Sequence, residues 1–321
     1  MNVFFVMRSF FNYLILHNRT LKAMPFYTTY KEFLAKTFPE WKRVRKLPLN
    51  GGMSCPNLDG SRGKGGCSYC NNKSFSPVWD KAGVDVQEQI AEFLPRIRCK
   101  YKDAGILAYF QPYTNTYAPI DRLREIYEPA FASEEVIGVA IGTRPDCVPF
   151  DVMELLAYEN TRKKVILELG LQTASDVTLE RVGRGHTVAD FLDAVKRAHA
   201  SGLIVTSHVI LGLPGETMED FERTAETIKS SGVSAVKIHP LHIVRGTRMA
   251  EEFARGEFEL LSFEGYCNAV ARFIQIVGMQ IAIERFSGEA QNETLIAPDW
   301  SGNRNKIVAR VEELLQSNQP G

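Results

Sequence analysis

Apolar residues along this chain gather into short unbroken runs in some stretches and recur with a period near 3.6 in others, and the two patterns take turns. The short run Val44–Leu49 reads as a first strand. Helical periodicity over Val84–Lys102 precedes a strand at Ile106–Phe110, then a helix near Ile120–Phe131 and a strand at Val136–Ile141. Asp151 reads as the N-cap of a helix running through Tyr158, ahead of the β-branched, apolar Val165–Leu169. A helix at Val188–Ala200, a strand at Leu203–Leu211, a helix at Met218–Ser230 and a strand at Ser234–His239 complete the series. Six strands, five of them followed by a clear helix, have βαβ spacing and predict a parallel sheet. The strands are apolar on both faces, as burial between two layers requires.

Such units form either an open doubly wound sheet or a barrel that does not close. The chemistry-bearing residues decide between them, because they fall at the carboxyl ends of nearly all the strands. Cysteines follow the first strand, Gln111 the second, Arg144 the third, Gln172 the fourth, Gly212–Gly215 the fifth and His239 the sixth. Convergence from every strand end describes the mouth of a barrel-like sheet. A doubly wound sheet would gather them at one switch point, and no Gly-x-Gly-x-x-Gly follows an early strand. The expected architecture is α/β: a partial (βα)6 TIM-like barrel over residues 24–245 with a C-terminal α/β extension over 246–321 packed on it. That extension has helical stretches at Phe263–Val277 and Asn303–Leu315 flanking a strand-like Gln280–Phe286. Residues 1–23 are apolar but interrupted by Arg8, Asn12, His17 and Arg19, too polar to span a bilayer and without the layout of a secretion signal. They read as an appendage, frayed or lying upstream of a start at Met24.

Composition adds little until the cysteines are considered. The chain is 321 residues long, 45% hydrophobic and 24% charged, with 38 basic and 38 acidic residues, so its net charge favours no class of partner. One local imbalance stands out: from Lys42 to Lys73 there are seven basic residues and only Asp59 to oppose them, a net of +6. That is either a solvated face or a footprint for a phosphate backbone. Six cysteines do not make a disulfide framework, no stretch qualifies as transmembrane, and a reducing, cytoplasmic setting is expected. Cys99, Cys147 and Cys267 are scattered and read as small buried hydrophobes, with Cys147 or Cys267 also able to lie near a substrate.

Cys55, Cys67 and Cys70 are different. They are joined by a loop carrying Gly60, Gly63, Gly65 and Gly66, which can wrap closely and aim backbone N–H groups inward. Three thiolates suit an iron–sulfur cubane with one iron left open to bind a cofactor or substrate, where four would suit electron transfer alone. A structural zinc ion competes, since Cys67 and Cys70 have knuckle spacing; zinc wants a fourth ligand, and the nearest later histidine is His186.

With these residues in place, the chain resembles the radical S-adenosylmethionine (radical SAM) enzymes. Three cysteines with Tyr69 before the last are that superfamily's signature, although eleven residues separate the first two here, against the commoner three. The long loop resembles the YhcC-type branch, as do Tyr109–Tyr117, Gly142–Cys147, Glu168–Gln172, Gly183–Thr187, His208–Glu216 and Pro240–Thr247. The elongator catalytic subunit and the oxygen-independent coproporphyrinogen oxidase are more distantly similar. The resemblance implies a [4Fe–4S] cluster on Cys55, Cys67 and Cys70, with S-adenosylmethionine (SAM) chelating the open iron. It further implies reductive cleavage of SAM to a 5′-deoxyadenosyl radical that abstracts hydrogen from a substrate, with electrons from a donor such as flavodoxin or ferredoxin.

Site residues follow from the matching motifs. Tyr69 is expected near the adenine, and Gln111 and Thr114 where relatives carry a glycine-rich turn meeting the methionyl amine. Gln172 and Arg184 are expected at the ribose and carboxylate, and His208 at the cofactor or in a polar core contact. Gly142 stands where relatives have an acid. Glu168 shares a strand face with Gly170 and Gln172, and an inward carboxylate needs a partner: a ribose, a basic residue or the sulfonium. No motif names the substrate. The branch resemblance points to tRNA, whose wobble uridine would have a carboxymethylaminomethyl group converted to aminomethyl. Radical chemistry on a small metabolite or a protein side chain, and a zinc-stapled nucleic-acid-binding module, are the alternatives.

Overall fold

Alternate residues of each strand face different layers, and that alternation shapes the molecule. The computed structural model describes residues 26–288 and 293–317; the appendage expected over 1–23 lies outside them. The strands are β1 (Val44–Leu49), β2 (Gly105–Phe110), β3 (Val136–Thr143), β4 (Lys164–Gln172), β5 (Ile204–Leu211), β6 (Ala235–Pro240), β7 (Ile243–Val244), β8 (Ala282–Arg285) and β9 (Leu295–Ala297). Seven form one parallel sheet in the order β1-β2-β3-β4-β5-β6-β8, and β7 pairs antiparallel with β9 beside it. Leu47, Leu49, Ile106, Phe110, Ile141, Leu167, Leu169 and Val205 face outward into the main core beneath the helices.

The inward positions show that the sheet is curled. In a flat sheet β1 and β8 would lie about 29 Å apart, six strand spacings of about 4.8 Å. Instead Lys46 of β1 and Glu284 of β8 form an ion pair at 2.8 Å. The α/β partial barrel is therefore present, with seven strands where six were expected. The strand expected at Gln280–Phe286 is β8, so the C-terminal extension continues the barrel's own sheet through the β6–β8 pairing.

The helix Tyr30–Thr37 closes the amino-terminal end of the barrel. Its Tyr30, Leu34 and Phe38 pack on Val44, Leu107, Ala140, Ile166, Ala235 and Ala282. A capping box starts it: Thr29 N–H donates to Glu32 Oε2 (2.8 Å) and Glu32 N–H to Thr29 Oγ1 (3.3 Å). The string Thr29-Tyr-Lys-Glu32 was the sequence signal for this unforeseen helix. One expected cap is corrected. The helix Phe150–Arg162 is capped by Pro149, and Asp151 sits inside the first turn, where its carboxylate accepts from Val152 N–H (2.9 Å). Among the described residues no helix is long and apolar enough to cross a membrane.

Above the apolar plug lies a layer of charge. Lys46 reaches Glu168 and Glu284, and Lys237 reaches Glu168 (3.1 Å) and Glu284 (3.1 Å). These four residues come from β1, β4, β6 and β8. Burial works against charge on Glu168, but Lys237 and Lys46 overcome it and hold the carboxyl well below the usual carboxylate range. Glu168→Gln leaves both lysines sharing Glu284, and removing one member of a buried ion network costs about 3–5 kcal/mol. Urea unfolding of the variant should show a loss of that size; a loss under about 1 kcal/mol would mean the network does not hold the curl.

Candidate active site

The strand ends deliver their side chains to one cavity of about 280 Å³ at the carboxyl end of the barrel. All ten sequence-predicted site residues line it: Cys55, Cys67, Cys70, Tyr69, Gln111, Thr114, Glu168, Gln172, Arg184 and His208. The Gly212–Gly215 loop is the exception among the strand-end groups. It packs away from this cavity, and Glu216 after it accepts from the Thr173 hydroxyl at the end of β4.

The cysteine loop is held by its neighbours. Cys67 to Cys70 is a tight turn closed by Cys70 N–H to Cys67 O (2.9 Å), and Ser68 N–H donates to Val182 O (2.9 Å). Asn57 is the main tie: its Nδ2 donates to Gly183 O (2.7 Å), Arg184 O (2.9 Å) and Cys67 Sγ (3.3 Å). Arg144, paired with Asp146, donates from Nη1 to Arg184 O (2.7 Å). Between them Gly185 has φ +74°, a left-handed conformation, and a Cβ there would meet Asn57 Oδ1 at 2.9 Å. The clamp presents Arg184 to Cys67 Sγ (3.8 Å). Burial pushes the Cys67 thiol up, but Arg184 and the Asn57 amide outweigh it and hold the thiol below its usual value.

Arg184 also reaches Gly170 O (2.9 Å) through Nη2 and His186 Nε2 (2.9 Å) through Nε. A Cβ on Gly170 would meet Gln172 Nε2 at 2.6 Å and Arg184 Nη2 at 2.7 Å, so only glycine lets both polar groups lie on that strand face. The β4–β5 register shifts between Gly170 and Gln172, and Gln172 has φ 77°. On the β2 side, the turn after the strand carries no glycine and instead has a cis Gln111–Pro112 bond and Tyr113 at φ 66°. The carbonyl of Gly142 accepts from Asn115 N–H (3.1 Å) and Asn115 Nδ2 (2.9 Å), so the position that is acidic in relatives braces this turn.

Glu168 finds its partner within the chain. Besides the two lysines, its Oε2 lies 2.8 Å from His208 Nε2. Burial, then Lys237, drop His208 to about 4, so it is neutral at pH 7 and donates this bond. The partners Lys46, Lys237 and Glu284 went unrecognised in the sequence, where alternation on β1, β6 and β8 was their only signal. Asn57 and Arg285 were also missed. Cys99 is exposed, correcting the expectation of a buried residue, and buried Cys147 and Cys267 do not line the cavity. The +6 segment is also not one patch: Lys42, Arg43 and Arg45 lie at the start of β1, at the far end of the barrel, while Lys46 is consumed inside.

The fold and site define a class, and comparison with known proteins agrees. Residues 60–228 match the model of the radical SAM superfamily, and residues 233–317 that of the radical SAM C-terminal domain. The chain is similar to Protein YhcC of Escherichia coli strain K12, 41% identical over 280 residues, covering 86% of this chain and 89% of that one. It is also similar to a tRNA uridine(34) acetyltransferase of Methanocaldococcus jannaschii, 35% identical over 57% of this chain but only 34% of that protein. Among solved structures, the archaeal Methanocaldococcus infernus Elp3 shares the fold with TM-score 0.66 at 18% identity, covering 84% of this chain and 63% of the other. The chain belongs to the radical SAM superfamily, in its YhcC-like group.

It is an enzyme of that class, using a [4Fe–4S] cluster and SAM. The residues present fit both. Cys55, Cys67 and Cys70 are free thiols on one cavity wall, with Asn57 and Arg184 placed to donate to a ligating sulfur. Among the described residues no three His, Cys, Asp or Glu side chains gather as ligands of a single ion would. The Tyr69 hydroxyl and Asn115 Oδ1 are buried without a partner on cavity-lining residues, which a polar cofactor would supply. When bound, the pair supplies a strongly oxidising carbon radical.

Two outcomes are expected. Replacing any of Cys55, Cys67 or Cys70 by Ala should drop reconstituted iron from about four atoms per chain to well below that, while Cys99→Ala leaves it unchanged, as read by iron analysis. The second concerns pH. Folded His208 has a depressed value of about 4 and His242 also about 4, against 6.5 unfolded. Below pH 6.5 the unfolded chain binds protons these residues refuse, so stability is lost as pH falls from 6.5 towards 4. Thermal melts should show that decline, and His208→Gln should flatten it.

Proposed function

We propose that this enzyme modifies the wobble uridine of tRNA, converting a carboxymethylaminomethyl group to aminomethyl: a hydrogen atom would leave the carbon between nitrogen and carboxylate, a second electron would return to the oxidised cluster, and water would hydrolyse the imine, breaking the C–N bond and releasing glyoxylate. The observation that carries the reading is the rim of the cavity. Leu58 and Phe75 are exposed there, as is Trp79 nearby in the chain, although most large apolar side chains are buried. Leu58 and Phe75 line the opening, and Lys73 Nζ sits 5.2 Å from the Trp79 ring centroid. Exposed Lys64 stands on the loop that carries Leu58, as does Arg62, which pairs with Asp146 (3.1 Å). Aromatic faces beside cations suit an unstacked single-stranded loop, the form in which RNA bases are read and a target base can enter a pocket. The similarity to a tRNA uridine(34) acetyltransferase supports the same substrate.

Within the barrel the chain's own residues bind, orient and exclude water. Arg184, Gln172 and Tyr69 serve the cofactor side, and Gln111 and Thr114 hold the turn facing it. A flavodoxin- or ferredoxin-like protein would deliver single electrons in the cytoplasm.

The test is the nucleoside profile of tRNA from a strain lacking this protein. It should lose aminomethyluridine and accumulate the carboxymethylaminomethyl form at the wobble position; an unchanged profile would overturn the reading. In vitro, Phe75→Ala should raise the KM for tRNA roughly tenfold, the size of one lost stacking contact. Formation of 5′-deoxyadenosine in the absence of tRNA should be unaffected.

A further inference from the structure

Half of the cavity is left over once the cofactor residues are placed. The cysteine loop, Tyr69, the Gln111 turn, Gln172 and Arg184 make one side. The other is built by the last strands of the sheet, chiefly His239, His242, Arg285 and Gly288. The β6–β8 register shifts after Val236, so that Lys237 is opposed by Arg285, with Glu284 as the extra residue. That irregularity turns Glu284 to the charged floor and leaves Arg285 on the cavity wall.

Charge on this wall is unbalanced. Lys46, Lys237 and Arg285 stand against Glu168 and Glu284, and both carboxylates are taken by the two lysines. No carboxylate among the described residues lies within ion-pair distance of Arg285. The imidazoles add no charge: burial, then Arg285, keep His239 well below its usual value, and burial drops His242 to about 4. His242 Nε2 is buried without a partner on a side chain only 6% exposed. Gly288 closes over both rings; a Cβ there would meet His242 Cε1 at 2.8 Å and His239 Nδ1 at 3.4 Å. The buried His242 Nε2 without a partner, next to an exposed guanidinium without a carboxylate partner, makes an unfinished polar site on this wall.

We propose that this wall is a substrate subsite holding a carboxylate of the group being modified, with Arg285 binding the anion and His239 and His242 flanking it. A backbone phosphate diester carries chain on both sides and needs an open groove. A wall closed by Gly288 admits a terminal group, which favours a carboxylate. The identity of the molecule bearing it rests on the tRNA reading above; the subsite itself does not.

Cluster-loaded, SAM-saturated enzyme would be titrated calorimetrically with acetate and, separately, with inorganic phosphate. Saturable acetate binding weakened at least tenfold in Arg285→Gln and partly restored in Arg285→Lys is the expected result. Absence of acetate binding, or phosphate binding more tightly than acetate, overturns the proposal. Arg285 is exposed, and unchanged iron content and melting temperature would show the variants folded. With tRNA from the deletion strain, Arg285→Gln should raise KM at least tenfold while SAM affinity stays as in wild type; lost SAM affinity would assign Arg285 to the cofactor and also overturn the proposal. If wild-type enzyme binds acetate but turns over no tRNA, the tRNA reading fails and the subsite stands.

Discussion

Two lysines and two glutamates meeting inside the barrel hold the structure in its working shape. Lys46, Glu168, Lys237 and Glu284 link β1, β4, β6 and β8, strands that are mostly not neighbours in the sheet. Hydrogen bonds between adjacent strands fix spacing but leave curvature soft, because twist alone does not bring the edges of a seven-stranded sheet together. Opposite charges across the interior do. The sheet stops short of closure where the segment leading into the helix Tyr30–Thr37 takes up the free edge of β8: Ile283 N–H donates to Thr28 O (2.8 Å), and the helix packs across the amino-terminal end. Below the charged layer the interior is apolar and sealed; above it the cavity opens. The network is thus both clamp and floor.

A second constraint governs the cluster side. The loop from Cys55 to Cys70 has little regular structure, and its position is borrowed from Gly183–Thr187 through Asn57 and Arg144. The same contacts aim Arg184 at Cys67. Placing a thiol and its guanidinium neighbour with one shared clamp means that neither can shift alone. Arg184 is itself fixed by Gly170 O and His186, whose Nε2 must accept from Arg184 and which burial, then the nearby guanidinium, hold at about 3 and so neutral.

Much of this could be read in the chain because strand period and strand ends are local signals. Val44–Leu49, Val188–Ala200 and Phe263–Val277 match the observed elements residue for residue. The gathering of Cys55, Gln111, Arg144, Gln172 and His239 in one cavity follows from placing them at the carboxyl ends of parallel strands, whereas Thr114, Arg184 and His208 came from the matching motifs. What escaped depends on pairing. Glu168 announced that it needed a partner, yet Lys46 and Glu284 lie 122 and 116 positions from it in sequence, and only the curl brings them together. Arg285 owes its place to a register shift that no hydrophobic pattern records. The +6 segment, read as a solvated face or a phosphate footprint, is split in the same way, since Lys42, Arg43 and Arg45 lie at the start of β1 while Arg62, Lys64 and Lys73 follow its far end.

The arrangement of charge bears on chemistry as well as shape. A carbon radical attacks whatever C–H bond is nearest, so selectivity has to come from position and from excluding water. A floor whose lysines and carboxylates pair with one another is stiff, although Glu284 Oε2 is buried without a hydrogen-bond partner. Neutral His208, His239 and His242 line the same space without adding to its charge. Against that balanced background the guanidiniums of Arg184 and Arg285, on different walls, are the cavity's cations without a carboxylate partner among the described residues. One faces Cys67, and the other lies exposed on the wall of His239 and His242. Two guanidiniums on different walls of one cavity would let a cofactor and a substrate, each bearing an anionic group, be held in fixed relation, which is the geometric requirement for moving a hydrogen atom between them.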